Sequence, residues 1–163
     1  MCCDGVMFHT VRLQPSDMPK ELAGLGIRLK RKHGHRCILQ PCPAYREAQC
    51  SIYAQRPERC RVFECRQLRG VAAGEITEAA ALARIRDARE QVGKLNALLE
   101  RAGQDNLRRP LSKRCAEVLE APLDEANGLR VAEVREMLGK MWTEFEALLD
   151  GHFRVDAAAD VPG

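Results

Sequence analysis

Aromatic residues are scarce in this chain. One Trp, two Tyr and four Phe are spread over 163 residues, so aliphatic side chains must supply most of any core. No apolar run approaches the roughly 20 residues that a membrane helix needs. Charge of one sign is also missing. The formal balance is +3, too near neutral to imply nucleic acid by itself. The first residues hold Asp4 and polar groups rather than a basic segment and an apolar stretch. No secretory signal is therefore expected ahead of them, and the expected compartment is the cytoplasm, where thiols stay reduced. Catalytic motifs are lacking too: there is no nucleophile elbow, phosphate loop, H-E-x-x-H or glycine fingerprint. An enzyme reading has no residue set to rest on, and no substrate is legible.

What the chain does have is cysteine. Five fall in Cys37–Cys65, which reads CILQPCPAYREAQCSIYAQRPERCRVFEC and holds Cys37, Cys42, Cys50, Cys60 and Cys65. Cys2 and Cys3 stand at the start, and only Cys115 lies apart. Packing would not require such clustering, because Val, Ala or Leu fill an apolar interior as well. Thiolates that share a metal must be gathered by the fold. An even count of eight cysteines would also suit four disulfides in a secreted protein, and the missing signal speaks against that. Spacing alone does not separate zinc from an iron–sulfur cluster. No C-x-x-C knuckle is present, and thiols are in surplus for a single ion. Both facts tilt the expectation toward iron–sulfur.

The run from Cys50 to Phe63 is CSIYAQRPERCRVF. It resembles the C-x-I-Y-x-x-R-P-x-x-C-R-x-F signature of the YkgJ-like cysteine-cluster family, a zinc- or iron-chelating domain. The family's other mark is C-x-x-C-x-x-C-C, of which only the pair Cys2-Cys3 is present, followed by Asp4-Gly5. The resemblance covers roughly residues 1 to 75. It implies Cys3, Cys37, Cys50 and Cys60 as the first four ligands, with Cys2, Cys42 and Cys65 behind them. It also implies a metal ion or cluster as the partner. The cysteine motif occurs in a flagellin lysine methylase as well, which keeps a metal-centre enzyme open as an alternative. A zinc-stabilised interaction module is a third reading.

The rest of the cysteine-rich part reads as short elements. Alternation over residues 6 to 13 predicts a strand holding His9. Ser16 or Asp17 is placed to cap a short helix through Leu22 and Leu25. Ile27 to Leu39 reads as a hairpin turning at Gly34, basic enough to offset thiolate charge. His33 and His35 are reserve ligands there. Pro41 and Pro43 hold Cys42 on a loop, and a polar loop leads to Cys50. Pro57 opens a helix through Cys60, Phe63 and Leu68. On one continuous helix Cys60 and Cys65 would lie about 140° apart around the axis, which ranks Cys65 below Cys60.

Beyond Gly74 helix formers take over. Ile85, Ala88, Val92, Leu95, Leu99 and Ala102 recur at spacings of three and four, with Gly103 as the stop. Cys115 falls in a short helix between Pro110 and Pro122 as a core residue. Val131, Val134, Leu138, Met141, Phe145 and Leu148 form a second stripe, with Gly151 marking its end. The expected fold is mainly α. A small loop-rich cysteine-cluster module with short strands occupies residues 1–74. A long antiparallel α-helical hairpin follows over 75–152, then a flexible tail over 153–163. The hairpin has a free face for a protein partner or a homodimer. A chain end is a poor place for rigid ligands, so Met1 is expected to be an internal methionine of a longer protein whose preceding cysteines complete the motif.

Overall fold

The computed structural model describes residues 1–122 and 128–155. About half of the chain is helical, and among the described residues five short strands pair antiparallel. Contacts divide it into two compact units. One is Met1–Phe63 with Asn106–Lys113; the other takes Glu64–Asp105 and the described residues from Arg114 onward. No described helix is long and apolar enough to cross a membrane.

The first unit is built on a three-stranded sheet. Strand β1 is Thr10–Arg12, β2 Leu29–Lys32 and β3 His35–Leu39, in the order β1-β3-β2. The β2–β3 turn is His33-Gly34, with φ of 47° and 78°. Positive values at both positions are what a two-residue hairpin needs to match the strands' twist. The register sets Ile38 between Val11 and Leu29. Ile38 is the centre of a core completed by Leu13, Leu22, Ile27, Ala44 and Ile52, with Cys42 and Cys50 packed against it. Helix α1 is Pro19–Gly24, and a second small hairpin pairs β4, Tyr45–Arg46, with β5, Gln49–Cys50. Helix α2 spans Glu58–Val62.

Two expectations change here. Asp17 does not cap α1. Its carboxylate accepts the Gln14 N–H at 2.7 Å and the Glu58 N–H at 2.8 Å, so it serves the start of α2 instead. The helix expected through Cys60 and Leu68 is broken. It stops at Val62, Phe63 is extended, and α3 restarts at Arg66–Ala72. The Phe63 ring meets the Phe8 ring edge-on at 5.2 Å, a long-range contact that outweighs local helix propensity.

In the second unit α4, Glu78–Arg101, packs against α3 and against α6, Gly128–His152; α5, Leu111–Glu120, has its first residues in the first unit and the rest in the second. Ala88, Leu95 and Leu99 of α4 and Leu138, Phe145 and Leu149 of α6 are fully buried side chains. The α6 stripe buries Leu149 where the pattern marked Leu148, and Val131 is exposed. Gly151 lies inside α6, whose end comes later, where Arg154 binds Asp150 and Glu146. Phe153, the first residue of the expected tail, is 1% exposed. The expected tail from residue 156 onward lies outside the described residues.

Helix α4 starts with a side-chain cap. Thr77 Oγ1 accepts the Ala80 N–H at 3.2 Å. Thr77→Ala is expected to cost this unit about 1 kcal/mol, read as a lower urea midpoint. An unchanged midpoint would mean that the cap contributes nothing.

Candidate metal centre

Four thiols are delivered to one place by four different devices. Cys3 is tied to Cys42 through the backbone, its carbonyl accepting the Cys42 N–H at 2.8 Å. The start of the chain is thus held rather than frayed. Gly5 helps, with φ of 79° and Pro41 and Pro110 so close that an added Cβ would sit 3.1 Å from the Pro41 ring. Only glycine tolerates both conditions. The Leu111 N–H closes the same corner on the Gly5 carbonyl at 3.2 Å.

Cys42 follows Pro41, and its own carbonyl accepts the Tyr45 N–H at 3.0 Å. Cys50 is presented by β5 opposite Tyr45. The turn between β4 and β5 puts Glu47 and Ala48 in left-handed conformations, φ 49° and 63°, an uncommon arrangement for residues with a Cβ. Cys60 sits on α2, whose entry is set by the extended Arg56 and by Pro57.

These four side chains line a cavity of about 480 Å³. Ile27, Ile38 and Ile52 extend the core into its wall, and Tyr53 and Arg56 stand on it as well. The Arg56 guanidinium lies 3.6 Å over the Tyr53 ring. Burial pushes the Cys60 thiol up to about 12, and the Cys3, Cys42 and Cys50 thiols push it the same way. Burial also raises Cys3, with Cys42 and Cys50 adding to it. Cys42 is raised by burial and by Cys50, against hydrogen bonds from the Ala44 and Tyr45 backbone. Cys3, Cys42 and Cys60 thus resist ionisation, and a cation among them would reverse that preference. Among the described residues no three His, Cys, Asp or Glu side chains stand close enough to clasp one ion as they are.

The other candidates stand elsewhere. Cys37, ranked in the first four by resemblance, is buried in β3 and its Sγ lies 3.9 Å from the His35 carbonyl oxygen. Strand alternation explains this: Ile38 and Gln40 point into the cavity, so Cys37 points to the opposite face. Cys42, ranked behind it, takes the place on the cavity. Cys2 turns to the Met7 sulfur at 3.8 Å. Cys65 belongs to the second unit, just before α3. His33 and His35 are exposed on the hairpin, and His9 Nδ1 meets Ser112 Oγ at 2.8 Å. Cys115 is a core thiol, 0% exposed and pushed up to about 12 by burial. Gln40 was not singled out by sequence; its place two residues after Ile38, just past the end of β3, is the signal that marks it.

All four donors on the cavity are thiols, and an all-thiol set fits zinc or an iron–sulfur cluster. No curated protein and no solved structure matches this chain. One family model does, over residues 1–97, described as "CxxCxxCC: Putative zinc- or iron-chelating domain". The match takes in all the cavity thiols and more than half of the chain, and the chain belongs to this family of zinc- or iron-chelating cysteine-cluster domains.

Proposed function

We propose that this chain is a non-enzymatic metal protein that holds an iron–sulfur cluster on Cys3, Cys42, Cys50 and Cys60. The observation that carries the reading is that these four thiols, far apart in sequence, share one cavity wall. The all-thiol donor set suits zinc or a cluster, and the absence of any C-x-x-C knuckle from the sequence favours the cluster. Such a cluster would supply one-electron capacity. The protein's part is to fix the four thiols on separate rigid elements and to keep the apolar wall of Ile27, Ile38 and Ile52 against them. The free thiols of all eight cysteines suit a reducing compartment, and we place the protein in the cytoplasm. In this reading α4 and α6 form an antiparallel hairpin that folds without the metal.

The test is the protein purified without oxygen. A cluster gives broad absorption near about 400 nm, with iron and sulfide in matching amounts. Stoichiometric zinc with no colour would replace the cluster by zinc. A chain that binds neither metal would end the reading.

A further inference from the structure

The thiol cavity has one wall residue that neither packing nor ligation explains. Gln40 is 4% exposed, and its side-chain Oε1 is buried with no hydrogen-bond partner. Gln40 lines the same cavity as Cys3, Cys42, Cys50 and Cys60. Its backbone is pinned. The Gln40 N–H donates to the His9 carbonyl at 3.0 Å, and the next carbonyl, of Pro41, accepts from Arg28 Nη2 at 2.8 Å. The side chain is therefore held on the cavity wall. An apolar residue would pack as well there, beside Ile38, without burying an unpartnered polar atom.

What fills the cavity decides the amide's use. Four thiolates outweigh a divalent ion, and they outweigh the iron and sulfide of a cluster too. The loaded centre is then a buried anion that can only accept hydrogen bonds. Asp17, whose charge is felt at Cys60, adds to the negative side. A buried, uncharged donor on the wall stabilises such a centre, and among the wall residues Gln40 is the buried one with an amide to offer. The two ends of a glutamine amide exchange by a half-turn about its last bond, so the NH₂ end is available to the sulfurs.

We propose that Gln40 is the positioning residue of this centre, donating its side-chain amide to a thiolate of the loaded site and raising its reduction potential. A donor to sulfur stabilises the more negative, reduced state. The inference rests on the metal reading given above, and its experiment separates the two. The whole chain is reconstituted without oxygen from ferric iron, sulfide and a dithiol reductant that reduces part of the iron, as wild type, Gln40→Leu and Gln40→Glu. Iron and sulfide content and the midpoint potential are then measured. Both variants are expected to load fully. Gln40→Leu should titrate at a lower potential than wild type, and Gln40→Glu, which replaces the donor with a negative charge at the same shape, lower still. Equal potentials in fully loaded protein overturn the role of Gln40 and leave the metal reading standing. If Gln40→Leu does not load, Gln40→Glu alone decides by the same comparison. If wild type takes only zinc, release of zinc to a chelator replaces the potential. Gln40→Leu should then release it about tenfold faster, and equal rates overturn the proposal. Wild type that binds neither metal overturns both readings.

Discussion

A chain carrying Cys50→Ser and Cys60→Ser together is expected to lose its metal and keep its long helices. Both thiols are on the cavity wall, one from β5 and one from α2. Their loss leaves Cys3 and Cys42, too few to close a site. A serine hydroxyl does not ionise near neutral pH and is a poor soft ligand. Structural metal binding supplies on the order of 10 kcal/mol to small modules of this kind. The sheet core around Ile38 is small, so the first unit should loosen with the metal. The helices of the second unit have their own core in Leu95, Leu99, Leu138 and Phe145. Metal analysis should therefore read near zero while circular dichroism keeps most of its helical signal. Full metal content in the double variant would remove both residues from the site.

Leu95→Asp should produce the opposite pattern. Leu95 is 0% exposed on α4, the helix that packs against α6. Removing a buried leucine side chain costs about 2–5 kcal/mol, and an unpaired buried carboxylate adds to this. Against a total stability of about 5–15 kcal/mol for a domain, the second unit should unfold at room temperature or close to it. Leu82→Asp on the same helix is the control, because Leu82 is 45% exposed; it should change stability little. A cooperative, near-wild-type melt for Leu95→Asp would contradict the core assignment.

The parts of this fold that were legible in sequence are those set by local rules. His33-Gly34 carries its own turn geometry, and the hairpin formed where it was read. The α4 stripe put Ala88, Leu95 and Leu99 in the core, and Gly103 follows the last turn with φ of 78°. The illegible parts depend on distant partners. Asp17 looked like the cap of the helix beside it, but the N–H it serves is at Glu58, reached only once the unit folds. Phe63 had good helical neighbours, and it leaves the helix where its ring meets that of Phe8, fifty-five residues earlier in the chain. The β4–β5 turn at Glu47-Ala48 has neither glycine nor asparagine, so nothing announced it. The site follows the same division. Crowded thiols pointed to a metal, while the choice between Cys37 and Cys42 was set by which face of β3 turns to the cavity. No spacing rule states that without the register of Ile38 between Val11 and Leu29.

The decisive comparison is metal bound per chain in Cys42→Ser and in Cys37→Ser, each purified without oxygen beside wild type. Cys42→Ser should lose most of its metal, because its thiol stands on the cavity with Cys3, Cys50 and Cys60. Cys37→Ser should retain it, with some loss of stability from a buried hydroxyl at a position 5% exposed. Full metal in Cys42→Ser with loss in Cys37→Ser would contradict the assignment of the centre to this cavity.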